Sequence, residues 1–223
     1  MAYYPIIMDL KDKKVIVVGG GNVARRKVTT LLDCGADVHI ISKDLCPLLK
    51  AYEKEGKVTV LGIGLKGYEL DGAHMVIAAT DDPVENSRIG RIAKERGILV
   101  NVVDQPADCN FIVPSIVRRG DLIIAVSTSG KSPALAGKLR KELESRYGRE
   151  YEAYLNLMGE LRGQIIAKGD SSDENREIFS RLVDSPLFEL VRAGEWEKIP
   201  ELVSGILKRE ITQQEILNYL KAE

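Results

Sequence analysis

Cysteine is scarce in the 223 residues. Cys34, Cys46 and Cys109 are the only three, and no two stand at C-x-x-C spacing. An odd, dispersed set builds neither a disulfide framework nor a structural zinc site. It suits a reduced, cytoplasmic protein with buried thiols. His39 and His74 are the only histidines, so no stable metal site is expected. No apolar run approaches the roughly 18–20 residues that span a bilayer, and no membrane association is expected. The start, Met1-Ala2-Tyr3-Tyr4-Pro5, lacks the basic-then-apolar order of a secretory leader. Net charge is also lacking: at −1 it argues against a general nucleic-acid binder. What remains is ordinary globular composition, 44% hydrophobic and 29% charged.

The first half alternates strand and helix patterns. Val15–Val18, Val38–Ile41, Val58–Leu61, Met75–Ala79 and Ile98–Val103 read as strands, the first a continuous apolar run suited to burial on both sheet faces. Helices are expected over 22–32, about 44–55 and 83–96, with Pro83 in a first turn where its missing N–H does no harm. Strands separated by helices of this length predict βαβ crossovers and a doubly wound parallel sheet. The pattern then changes. Phe111–Val117 and Leu122–Ser127 are separated only by Arg118-Arg119-Gly120-Asp121, which fits an antiparallel hairpin. Ser132-Pro133 then caps a helix carrying Leu135, Leu139 and Leu143 on one face. From Tyr151 the strand signal disappears. Tyr154, Met158, Leu161 and Ile165 mark one amphipathic helix, and Ser171–Glu174 and Thr212–Glu215 both match the capping box.

Gly19-Gly20-Gly21-Asn22-Val23-Ala24 lies between the first strand and the first helix and fits G-x-G-x-x-A. The first glycine permits the tight turn, and the second lets backbone approach a pyrophosphate. The small third residue lets helix and strand pack closely. Free N–H groups at the helix start bind phosphate, so the loop points to a dinucleotide. Which one is open from these residues. Where a ribose-binding carboxylate is usual, the chain has Lys43, suited to a 2′-phosphate, followed by Asp44, suited to a ribose hydroxyl. Thr80 and Asp81 end the fourth strand, where they can face a cofactor, cap the next helix, or do both. Asp104 ends the fifth strand, as a general base or as a turn aspartate before Pro106. Ser127-Thr128-Ser129-Gly130-Lys131 leads into a helix N-terminus, an arrangement that suits an anion but also an ordinary capped loop.

Charge is partitioned along the chain. Residues 114–150 carry eight Lys/Arg against four Asp/Glu, and residues 151–223 nine against fourteen. The basic segment holds Arg118, Arg119, Lys131, Lys138, Arg140 and Lys141, either a solvated face or a site for a polycarboxylate.

Taken in order, Pro5-Ile6, the Gly19–Ala24 loop with Arg25-Arg26-Lys27, Ala78–Asp82, Asn101–Asp104, Phe111–Ile116 and Ser127–Pro133 resemble the siroheme synthase family: precorrin-2 dehydrogenases, often also sirohydrochlorin ferrochelatases. The likeness is strong over about residues 4–150 and loose in the tail. It implies an α/β fold with an NAD-binding Rossmann domain over 1–113, an α+β dimerisation segment over 114–150 and a helical domain over 151–223. It implies a homodimer that oxidises precorrin-2 to sirohydrochlorin with NAD⁺. Some members then insert Fe²⁺, for which Asp104 would be a transient site. The family's catalytic aspartate falls on Asp104. Its NAD contacts fall on Gly19, Gly20, Gly21, Asn22, Val23, Ala24, Lys43 and Asp44, with Thr80 and Asp81 beside them. Ser127, Thr128, Ser129, Gly130, Lys131, Arg118 and Arg119 are the expected substrate contacts. Two other readings share the glycine loop: a dinucleotide-sensing module with a partner-binding tail, and a different NAD-dependent oxidoreductase. The short-chain dehydrogenase type is disfavoured, because no Tyr is followed by Lys at the fourth position.

Overall fold

The computed structural model describes residues 3–169 and 171–220. Met1, Ala2, Asp170 and residues 221–223, which belong to the segments expected above, lie outside the described residues. The chain divides into two compact units, Met1–Val113 and Pro114–Glu223.

The first unit is a five-stranded parallel sheet. Its strands are β1 (Lys14–Val18), β2 (Asp37–Ile41), β3 (Thr59–Gly62), β4 (Met75–Ala78) and β5 (Leu99–Val102), in the spatial order β3-β2-β1-β4-β5. The order reverses between β1 and β4, and such a switch point opens a crevice at the carboxyl ends of the strands. The continuous apolar runs are explained by burial on both faces. On one face α1 (Asn22–Asp33) and α2 (Pro47–Lys54) supply Ala24, Val28, Leu31 and Leu49 to a core with Val15, Val17 and Ile77. On the other, α3 (Pro83–Glu95) supplies Ile89 and Ala93 against Ile16, Val76 and Val100. Helix α2 starts at Pro47, three residues later than expected, because proline is favoured at the first helical position. Asp44 is thereby left in the preceding loop.

The second unit begins with a two-stranded antiparallel sheet, β6 (Ser115–Arg119) and β7 (Leu122–Val126). The hairpin is shifted from its expected place. Arg118 and Arg119 belong to β6, and the turn is Gly120-Asp121 alone, with Gly120 at φ 54°. A two-residue hairpin turn needs positive φ, which glycine supplies without strain. Residues 111–114 lie outside β6. Helix α4 (Pro133–Arg146) packs on both strands, and five further helices form a bundle: α5 (Glu150–Ala167), α6 (Ser172–Val183), α7 (Leu187–Ala193), α8 (Ile199–Leu207) and α9 (Gln213–Tyr219). Leu157, Leu161, Ile165, Leu182, Leu187, Ile199, Val203 and Ile216 make its core. Both expected capping boxes form, at Ser171 with Glu174 and at Thr212 with Glu215. The leucine face of α4 is a different matter. Ala136 is the buried residue, while Leu135 and Leu139 remain 47% and 36% exposed. Among the described residues no helix is long and apolar enough to cross a membrane.

Candidate active site

The first unit carries a cleft of about 520 Å³ at the carboxyl ends of its strands. The glycine loop, Ser42, Lys43, Asp44, Thr80 and Asp81 line it. The three glycines have different reasons to be there. At Gly19, with φ 124°, an added Cβ would stand 2.1 Å from the Ala79 carbonyl oxygen. At Gly20 it would stand 1.9 Å from the Asp44 carbonyl oxygen. These two let neighbouring backbone close in, and the Gly19 and Cys46 N–H groups donate to the Ile41 and Gly20 carbonyls at 2.9 and 2.8 Å. At Gly21 an added Cβ would meet nothing within 4 Å. Protein packing does not require that glycine, which leaves its backbone open to close approach by a ligand.

Helix α1 opens at Gly21 with no side-chain cap and no acidic residue in its first turn. Its first N–H groups, at Asn22, Val23 and Ala24, therefore lie without a side-chain acceptor at the positive end of the helix dipole, as an anion site requires. A dinucleotide pyrophosphate fits this cradle. Lys43 and Asp44 are exposed at its rim, and the Ser42 hydroxyl donates to the Asp44 carbonyl at 2.7 Å, which fixes that loop.

The end of β4 separates roles that looked joined in the sequence. Asp82, not Asp81, caps α3, accepting from the Val84 and Glu85 N–H groups. Thr80 is locked to Asn86: its N–H and hydroxyl both donate to the Asn86 side-chain oxygen, and the Asn86 amide donates back to the Thr80 carbonyl. Asn86 is 4% exposed and was not singled out from sequence, because a pairing six residues apart across a turn leaves no periodic signal. Asp81 is left facing the cleft.

Asp104 follows β5, two strands from β1 and therefore about 10 Å across the sheet. It is exposed at φ 61°, a left-handed conformation in which aspartate is enriched among non-glycine residues. Its carboxylate accepts no hydrogen bond among the described residues. A second titratable group was given no role of its own in the sequence. Lys27 on α1 is half-buried, and burial pushes its ammonium below the ordinary lysine range; Arg26 adds repulsion and Cys109 opposes it.

In the second unit, the loop before α4 is shaped by Ser129 at φ 54° and Gly130 at φ 80°. The Ser129 N–H donates to the Ser127 hydroxyl, and the Ser132 N–H to the Thr128 hydroxyl. Ser127, Ser129, Gly130 and Lys131 are exposed. Arg119 is turned inward: it donates to the Tyr147 and Glu144 carbonyls at 2.9 and 3.0 Å and so ties β6 to the end of α4. Lys138 and Arg140 pair with Glu142 and Glu144. Arg118, Lys131 and Lys141 have no acidic partner among the described residues.

Residues 6–115 match a family of NAD(P)-binding domains, and residues 119–146 match the central region of sirohaem biosynthesis proteins. The chain is 38% identical over 195 residues to Siroheme synthase 1 of Serratia proteamaculans (strain 568), an alignment covering 87% of this chain and 41% of that protein. It is 38% identical over 208 residues to the siroheme synthase of Thioalkalivibrio sulfidiphilus (strain HL-EbGR7), covering 93% and 42%. The chain belongs to the siroheme synthase family. It spans under half the length of these curated relatives. A solved structure named SirC, precorrin-2 dehydrogenase, superposes with a TM-score of 0.77 at 26% identity, covering 92% of this chain and 100% of that one. The parallel sheet and helical second unit are thus a family architecture, and the cleft belongs to its nicotinamide-dinucleotide-binding part.

Proposed function

We propose that this chain oxidises precorrin-2 to sirohydrochlorin with NAD⁺. The observation that carries the reading is the glycine cradle: Gly21 is required by no protein contact, and the α1 N-terminus lacks a side-chain cap. The SirC likeness supports the substrate.

Gly19, Gly20, Gly21, Asn22, Val23 and Ala24 hold the pyrophosphate, while Lys43, Asp44, Thr80 and Asp81 orient the rest of the dinucleotide. Asp44 favours NAD over NADP by accepting from a ribose hydroxyl. Among the described residues lining the cleft Lys43 is the one cation, with no second to help hold a 2′-phosphate. When bound, NAD⁺ supplies the hydride acceptor. Asp104 takes the accompanying proton on its carboxylate, which has no competing donor among the described residues.

In the second unit, Ser127, Thr128, Ser129, Gly130, Lys131 and Arg118 receive substrate carboxylates. Arg119 serves the same surface by fixing β6. Two copies of the chain associate through the hairpin and α4. The exposed Ile116, Leu135 and Leu139 support that reading, since a two-stranded sheet is marginal without further cover. The three free thiols suit a reducing cytoplasm. In a chelation step Fe²⁺ enters as a second substrate passing Asp104. Among the described residues no group of three or more His, Cys, Asp or Glu is placed to hold a metal.

The test is to give the purified chain precorrin-2 with NAD⁺ or NADP⁺ and to follow reduced cofactor and the tetrapyrrole spectrum, then to add Fe²⁺. NADH formation that outpaces NADPH formation is expected. No reduced cofactor from either would reject the reading, and a spectral change on adding iron would extend it to chelation.

A further inference from the structure

Asp104 is oriented by its backbone alone. Its carboxylate has no partner among the described residues, so its direction follows from the turn that holds φ at 61°. The Gln105 N–H closes that turn on the Val102 carbonyl at 3.3 Å, longer than the usual N–H···O bond. Two side chains reinforce it. The Cys109 thiol sits inside the loop: its sulfur accepts from the Val102 N–H at 3.1 Å and lies 3.4 Å from the Val102 carbonyl oxygen and 3.5 Å from that of Gln105. The Gln105 side chain reaches outward to α3. Its amide donates to the Pro83 carbonyl at 3.0 Å, and its carbonyl oxygen lies 3.1 Å from the Ser87 hydroxyl, which also contacts the Asp108 carboxylate.

We infer that Cys109 and Gln105 are positioning residues for Asp104: the thiol pins both ends of its turn, and the amide fixes the turn to the start of the helix that follows the cofactor-facing strand. The inference rests on the reading of Asp104 as the base. It gives Cys109, which is half-buried and not buried as composition suggested, a hydrogen-bonding task. It also gives Gln105 a task that sequence did not suggest. Neither residue lines the dinucleotide cleft, so loss of either acts on the base and not on cofactor binding.

The test uses the whole chain with precorrin-2 and NAD⁺, comparing Cys109→Ala, Cys109→Ser and Gln105→Leu with Asp104→Asn. Cys109→Ala and Gln105→Leu are expected to lower kcat by roughly tenfold or more, within the ~100-fold that a displacement of about 1 Å can cause. The NAD⁺ Kd and the NAD⁺-binding stoichiometry should stay within about twofold of the parent, a split that general destabilisation would not give. Cys109→Ser keeps a donor and an acceptor and should recover most of the lost kcat. If Cys109→Ala does not fold, Gln105→Leu decides alone. Parental kcat in Cys109→Ala or Gln105→Leu beside an inactive Asp104→Asn would overturn the positioning role and leave the base in place. Equal losses in Cys109→Ser and Cys109→Ala would overturn the hydrogen-bonding role of the thiol. Parental turnover in Asp104→Asn would remove the base reading and this inference together.

Discussion

The two units bring different materials to their candidate sites. In the first, backbone makes the site: glycines that let chains touch, an uncapped helix start, an aspartate held at positive φ. In the second, exposed side chains make it: unpaired cations, loop hydroxyls and uncovered leucines on α4. A backbone site is intolerant of small changes because they act on packing. A side-chain site tolerates substitution in the fold and shows it in binding or assembly. Mutations that separate stability from function should therefore fall differently on the two units.

The largest effect should come from Gly19→Ala. Its Cβ would meet the Ala79 carbonyl oxygen at 2.1 Å with φ at 124°, so a loss of about 3 kcal/mol is expected in denaturant unfolding of the first unit. Gly21→Ala should behave oppositely, losing less than about 1 kcal/mol of stability. Its dinucleotide Kd, read by titration calorimetry, should rise at least about tenfold, or about 1.4 kcal/mol. Equal stability losses at the two glycines would erase the distinction between packing and ligand glycines.

Next in size is assembly. Leu135→Glu with Leu139→Glu places charge on the exposed face of α4, and sedimentation is expected to show a dimer for the parent and a monomer for the variant. The stability of each unit should change by no more than about 0.5 kcal/mol per site. A persisting dimer would place the interface elsewhere.

The smallest effects belong to the bundle. Thr212→Ala removes a cap and should lower second-unit stability by about 1 kcal/mol. The Thr212 N–H and hydroxyl donate to Glu215 at 2.8 and 2.9 Å and hold its carboxyl below the ordinary value of 4.5. A carboxylate with a depressed folded pKa stabilises above its unfolded value and loses that contribution as pH falls through the folded one. The stability gap between the parent and Glu215→Gln should therefore shrink below about pH 4.5 in circular dichroism melts.

How far these features could be read in advance depended on how local they are. The Val15–Val18 run, the glycine loop and both capping boxes are set by neighbours within a few residues, and the structure has them where expected. Asn86 lay beyond that reach, because its role depends on Thr80 turning back toward it. So did the Cys109 thiol, whose partners Val102 and Gln105 stand across a turn. Arg118 and Arg119 hid the true end of β6, since charged residues in a strand look like a turn. On α4 the leucine spacing correctly marked an apolar stripe, but periodicity does not say what covers it. In this chain the described residues leave Leu135 and Leu139 exposed.

The proposed oxidation depends most on Asp104. Single-turnover NADH formation from precorrin-2 should be measured in the parent and in Asp104→Asn, with NAD⁺ affinity determined on the same samples. The variant is expected to bind NAD⁺ with parental affinity and to lose NADH formation by at least about 100-fold, the scale of one general base. Parental rates of NADH formation in Asp104→Asn would contradict the account.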